Sequence, residues 1–227
     1  MVFEFFKASA GQSTVESVQH QLVQMLRDGL VVYDEAMDAL FGAGKSKETK
    51  RSIKSTDREI NLAEQDVRRD LMMHVSVQDA VDLPLVLAYM SVVKDVERVG
   101  DYAKNVYDLV KYGEDFSGAA DLAELTHYRN AVAGLIEEAA AVFESSDSDR
   151  AAALIAKADG FLDEYDARVR AAYNYDGPAS QAVARALYYR YLKRITSHVM
   201  NLMTALVMPI DRLDYYDEAK DDRVPPQ

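Results

Sequence analysis

Apolar residues along this chain recur every three or four positions, the period of one face of an α-helix, and sustained strand-like alternation is weak throughout. The clearest stripe is Val86, Met90, Val93, Val96, Val99, Ala103, Val106 and Val110, which predicts a core-facing helix packed through Val, Met and Ala. Shorter apolar runs, such as residues 83–90, lie inside longer patterns of the same period. Glycine and proline are scarce and clustered, so they mark the breaks. Gly42-Ala-Gly44 ends a first helix predicted over 12–41, and Ser46 caps a second that reaches His74. Ser76 with Asp79 reads as the start of a third helix, with Pro84 near its N-terminus and Gly113 as its stop. A fourth is expected over 120–143. The turn Ser145-Ser-Asp-Ser148 introduces a fifth, to Tyr173. Pro178 is placed to open a sixth, ending at Met208 before Pro209.

Six helices suggest two copies of three. Ser55-Thr-Asp57-Arg-Glu-Ile-Asn61-Leu-Ala-Glu64 lines up with Lys157-Ala-Asp159-Gly-Phe-Leu-Asp163-Glu-Tyr-Asp166. Val96-Glu97-Arg98 through Asn105 lines up with Leu192-Lys193-Arg194 through Asn201, at a slightly shorter offset. The order and length fit an internal duplication. The expected organisation is a first three-helix repeat over 1–115, a second over 116–215 and a polar tail over 216–227.

Composition narrows the chemistry. Hydrophobic residues make up 49% and charged residues 28% of 227, ordinary values for a globular chain. A net charge of -12 makes nucleic acid a poor partner and suits cations or plain solubility. The absence of cysteine excludes disulfides, thiolate metal sites and thiol nucleophiles. The opening residues lack the basic lead-in and apolar core of a signal peptide. No stretch has the length and apolarity of a membrane span, so an integral membrane protein is not expected and a cytoplasmic one is. No phosphate-binding glycine loop, Gly-x-Ser-x-Gly motif or dinucleotide fingerprint is present.

The candidate chemistry lies in carboxylates. Glu97 and Asp101 stand four residues apart on one helix face, where like charges repel by a few tenths of a kcal/mol. Asn105 and Asp108 continue that face. Asp57, Asn61 and Glu64 form a matching stripe on the preceding helix, which a short connection would place antiparallel to it. Oxygen ligands without thiolates suit Mg, Ca, Mn or iron. The same residues also have cations within helical reach: Arg68 for Glu64, Lys104 for Asp101, and Lys94 and Arg98 for Glu97. On spacing alone, ion pairing on a solvated face is the commoner outcome. Glu124 and His127 have a Glu-x-x-His spacing, but one such pair cannot build a di-iron bundle. The 14 tyrosines fit either an interface, including that of a homo-oligomer, or the boundaries of the helical bundles.

The segment Lys94-Asp-Val-Glu97-Arg98-Val99-Gly100-Asp101-Tyr-Ala-Lys-Asn105 resembles the signature of the PhoU family, Glu-Arg-Ile-Gly-Asp followed by Asn, and 57–64 resembles the family's upstream stretch. The resemblance implies an all-α fold of two tandem three-helix bundles. It implies metal binding, by iron, zinc or another divalent cation, through Glu/Asp-x-x-x-Asp motifs. The corresponding residues here are Glu97, Asp101, Asp57 and Glu64, with Asp159 and Asp163 on the fifth helix. On the sixth helix Lys193 and Ser197 replace the acids, which predicts ion pairs from Lys193 or Arg194 to Asp159, Asp163 or Asp166. The resemblance also implies a non-catalytic regulator that joins the ATPase of a phosphate ABC transporter to a sensor histidine kinase. The rivals are an accessory protein of another phosphate or ion transporter, a metal-dependent helical-bundle enzyme and a purely structural interaction module without metal.

Overall fold

The computed structural model describes residues 12–77, 83–213 and 216. Six long helices account for nearly all of them: α1 Gln12–Leu40, α2 Lys47–Val77, α3 Leu83–Lys111, α4 Leu122–Ser145, α5 Ser148–Ala172 and α6 Ala179–Val207. A 3₁₀ turn follows at Ile210–Arg212, and no strand occurs among the described residues. The helical periodicity is thus realised along the chain, with helix ends within a few residues of the breaks read from glycine, proline and serine.

Local chemistry accounts for most of those ends. The Ser46 hydroxyl accepts a hydrogen bond from the Thr49 amide at 3.0 Å, the expected cap of α2. The Asp147 carboxylate caps α5 in the same way, through the Arg150 amide at 3.0 Å. The turn after α1 holds Gly42 at φ +91° and Gly44 at φ +74°, a region costly for residues with a Cβ. A Cβ on Gly42 would also meet Ser117 at 2.7 Å. One boundary differs from the reading of the sequence. Ser76 does not begin α3; α2 continues through it to Val77, and the Ser76 hydroxyl donates to the Met72 carbonyl one turn earlier. The expected partner of that start, Asp79, lies outside the described residues.

Helices α1, α2 and α3 form one bundle and α4, α5 and α6 another. The two join through like helices, α1 against α4 and α3 against α6. Both junctions are antiparallel. Gln19 near the start of α1 donates to the Phe143 carbonyl near the end of α4 at 2.6 Å, while the Tyr33 hydroxyl reaches the Arg129 carbonyl at 3.0 Å. Along the other junction, Asp95 faces His198 and Asn201, and Tyr102 stacks on His198 with ring centroids 5.6 Å apart.

Neighbour number explains the width of each apolar stripe. Helix α2 packs chiefly on α1 and α3, and a narrow line of Ile53, Ile60, Val67 and Leu71 suffices. Helix α3 is enclosed by α1, α2 and α6. It therefore buries Val86, Tyr89, Val92, Val93, Val96, Val99, Ala103 and Val106 around most of its circumference. Each fully buried side chain of this size contributes about 1.5–3 kcal/mol from removal of apolar surface from water. Aromatic rings stitch the second bundle to the α1 end. Phe41 packs edge-on against Phe116, Phe116 against Tyr188, and Tyr188 against Tyr189, which meets Tyr128. Tyr33, Tyr89, Tyr165 and Tyr188 are fully buried, so much of the tyrosine content serves the core and the junction of the bundles.

Gly100 lies where α3 meets both α1 and α2. A Cβ built there would come within 2.8 Å of the buried Ile60 Cδ1, and the backbone of Gly29 on α1 approaches Gly100 from the other side. Gly160, exposed on α5, has open space around it. Gly100→Val is expected to destabilise the chain by about 1–3 kcal/mol through overpacking, whereas Gly160→Ala stabilises it by up to about 1 kcal/mol through helix propensity. Urea denaturation of the two variants measures both; equal effects would contradict this packing.

Candidate functional site

The buried stripe of α3 fixes where its acids go. With Val96, Val99 and Ala103 facing inward, Glu97, Asp101 and Lys104 are turned toward the groove with α2. Helix α2 places Ile60 and Val67 in the core, which turns Asp57 and Glu64 to the same groove from the other side. The four carboxylates expected as one set therefore do share a groove. Glu64 and Glu97 lie deep, with side chains 8% and 5% exposed, while Asp101 is 41% exposed at the rim.

Within that groove the acids sort into two ion-paired groups. Lys104 Nζ donates to Asp57 Oδ1 at 2.6 Å and to Asp101 Oδ1 at 2.8 Å, spanning the two helices. One to two turns away, Lys94 Nζ lies 2.7 Å from Glu97 Oε2 and 3.6 Å from Glu64 Oε2. Arg68 closes the group from α2, 2.9 Å from Glu64 Oε1. Asn61 turns back on its own helix and donates to the Asp57 carbonyl at 2.8 Å. Asp108, further along the α3 face, pairs with Lys111. Every cation that the sequence offered to this face within one helix, apart from Arg98, is thus engaged, and Lys94 and Lys104 also reach across to α2.

The electrostatics follow. Burial pushes the Glu97 carboxyl above its ordinary range; Lys94 pulls it back, and the charges of Asp101 and Glu64 push it up again. For Lys104, burial works to lower the ammonium's pKa, but hydrogen bonds and charges from Asp101 and Asp57 outweigh it and hold it above the ordinary value.

Iron, zinc or another divalent cation is the group that the resemblance implies for these residues. The residues present do not fit it. A divalent cation needs several oxygens converging on one point, and the points between the carboxylates are taken by ammonium nitrogens. Among the described residues, no three acidic or histidine side chains converge as a metal-binding group. Asp159 and Asp163 do not join the groove, because α5 belongs to the other bundle. Asp159 is half-buried and Asp163 exposed. The ion pair expected from α6 is present: Lys193 Nζ lies 2.5 Å from Asp166 Oδ2. Glu124 pairs with Arg168 at 2.5 Å, and the neighbouring His127 packs on the edge of the Tyr128 ring, so the Glu-x-x-His spacing assembles no ligand pair.

A second polar feature escaped the sequence reading. Asp95 Oδ1, buried between the bundles, lies 2.8 Å from His198 Nδ1 and accepts from Asn201 Nδ2 at 3.2 Å. Its signal was available: an aspartate set between Val93 and Val96 on an otherwise apolar stripe needs a buried partner. The identity of that partner depended on the antiparallel register of α3 and α6.

A lysine held above its ordinary pKa stabilises the fold below the ordinary value near 10.5 and loses that contribution as pH rises through the raised one. Lys104→Met is therefore expected to unfold at lower urea than the wild type at about pH 8. The gap should narrow as the pH passes the lysine range. A gap that is constant from neutral to strongly alkaline pH would show that the charge of Lys104 does not contribute.

Comparison with known proteins gives this groove its setting. The family model described as the PhoU domain matches residues 22–110, a span that holds most of α1 and all of the α2–α3 groove. A phosphate-specific transport system accessory protein PhoU homolog of Pseudomonas aeruginosa is 27% identical, over 85% of this chain and 82% of that protein. The crystal structure of PhoU from Pseudomonas aeruginosa superimposes with a TM-score of 0.75 at 23% identity, covering 89% of this chain and 97% of that one. The phosphate transport system regulatory protein PhoU from Streptococcus pneumoniae gives 0.77 at 17% identity, covering 95% and 100%. Residues 22–110 therefore match the PhoU domain, and the chain is similar to PhoU proteins in sequence over most of its length and in helical architecture.

Proposed function

We propose that this chain is a non-catalytic accessory regulator of phosphate uptake, which joins the ATPase of a phosphate ABC transporter to a sensor histidine kinase and holds the phosphate-starvation response off when phosphate is ample. The observation that carries the reading is the similarity, over 85% of the chain, to a protein named as an accessory of the phosphate-specific transport system. The site chemistry agrees with it. The acids that could serve as a base or as metal ligands in the α2–α3 groove are engaged by Lys94, Lys104 and Arg68, an arrangement suited to rigidity more than to proton transfer. No helix among the described residues is long and apolar enough to cross a membrane, so the chain would act on a transporter by docking to it. Regulation of that kind requires two states of the complex with different partner affinity.

Affinity purification of the tagged chain from phosphate-replete and phosphate-starved cells tests the proposal. The expected result is recovery of the ABC transporter ATPase and a sensor histidine kinase, with the balance between them changing with phosphate supply. Deletion of the chain should switch starvation genes on in phosphate-rich medium. Recovery of a secondary phosphate or ion transporter alone would move the assignment to an accessory of that transporter. Recovery of neither class, with no change in starvation genes, overturns it.

A further inference from the structure

Between two carboxylates on neighbouring helices, a bridging cation relieves repulsion and ties the helices together. In the α2–α3 groove lysine nitrogens occupy that position. Lys104 Nζ lies within 2.8 Å of oxygens from both Asp57 on α2 and Asp101 on α3. Lys94 stands between Glu97 and the more distant Glu64. We propose that Lys94 and Lys104 are built-in counter-ions that take the place of a metal, so that this chain holds its acidic motif together without a divalent cation.

Three features of the molecule support this. The first is geometry. A metal on the Asp57–Asp101 bridge would have to displace an ammonium already held by two charge-assisted hydrogen bonds. The second is charge. Arg68, Lys94 and Lys104 stand against Asp57, Glu64, Glu97 and Asp101, so the groove is within one charge of neutral, and a divalent cation would overshoot it. The third is the other bundle. There the position matching Glu97 is Lys193, and its ammonium lies 2.5 Å from Asp166, the match of Glu64. The crossing of α5 and α6 is thus closed by an ammonium supplied from a different position of the repeat. What recurs in both bundles is a lysine between the helices; the Glu-x-x-x-Asp pair does not recur on α6. The inference stands apart from the transport assignment, since an adaptor can work with or without metal, and its test reads metal binding and stability alone.

The test compares the wild-type chain with Lys94→Gln/Lys104→Gln. Wild-type protein purified from metal-replete cells and dialysed is expected to carry far less than one equivalent of iron, zinc or manganese by elemental analysis. Its melting temperature should stay unchanged by EDTA or by millimolar Mn²⁺ or Zn²⁺. The double variant leaves Asp57 facing Asp101 and Glu97 facing Glu64, with Arg68 on Glu64 as the remaining cation of the set. It should melt about 3–6 °C lower, and it should recover most of that loss on addition of Mn²⁺, with a titratable site by calorimetry that the wild type lacks. If the double variant does not fold, Lys104→Gln alone serves, because that lysine sits at the half-exposed Asp101 end of the groove. A wild-type chain that retains a stoichiometric metal through dialysis, or that binds Mn²⁺ as tightly as the lysine variants do, overturns the proposal. So does a folded variant whose metal affinity and metal response match those of the wild type.

Discussion

The organisation of this molecule depends on the burial of α3. That helix is packed on α1, α2 and α6 at once, so its apolar residues occupy nearly every direction and its polar residues are confined to what remains. The confinement has two consequences. Glu97, Asp101 and Lys104 are directed into the groove with α2, where charges must find partners across a short distance. Asp95 is directed into the junction with α6, where His198 and Asn201 meet it. An exposed helix could leave such side chains in water at little cost. A helix enclosed on three sides cannot, because an unpaired charge in a poorly solvated groove is expensive.

The same constraint explains why the two bundles share an architecture but not a charge pattern. In both, the outer helix crosses the enclosed one, and the polar contact at the crossing is an ammonium held by a carboxylate. In the first bundle the lysines come from positions beside the acidic motif; in the second Lys193 stands within it. Either arrangement satisfies the electrostatics of the crossing. Gly100 marks a further difference. It lets α1 and α2 come close to α3, whereas the matching Thr196 on α6 is fully buried and fills that volume itself.

Joining of the bundles through like helices, α1 with α4 and α3 with α6, leaves the outer helices α2 and α5 on separate flanks. The two acidic grooves therefore stand apart, and Asp159 and Asp163 cannot supplement Glu97 and Asp101. The likeness to PhoU proteins rests on the domain match at 22–110, the helical architecture and the similarity along the chain. Among the described residues it brings no converging ligand cluster at this motif, where Lys94, Lys104 and Arg68 stand against the carboxylates.

Helix number, helix type and most helix ends could be read directly from the sequence, because the 3.6-residue period, the Ser46 cap, the positive φ of Gly42 and the fixed φ of Pro178 act within a few residues of the chain. The shared face of Asp57 and Glu64, and that of Glu97 and Asp101, could be read for the same reason. Local rules failed at Ser76, where α2 ran on past an apparent start signal. They were also silent on Asp95, whose partners lie over a hundred residues away. The outcome at the acidic motif was set by tertiary structure alone. Spacing placed Lys94 and Lys104 within reach of their own helix neighbours, but only the antiparallel packing of α2 on α3 brought Lys104 to Asp57 and Lys94 toward Glu64. Whether a carboxylate pair binds a metal or an ammonium depends on distances across helices, and those distances are fixed when the core packs.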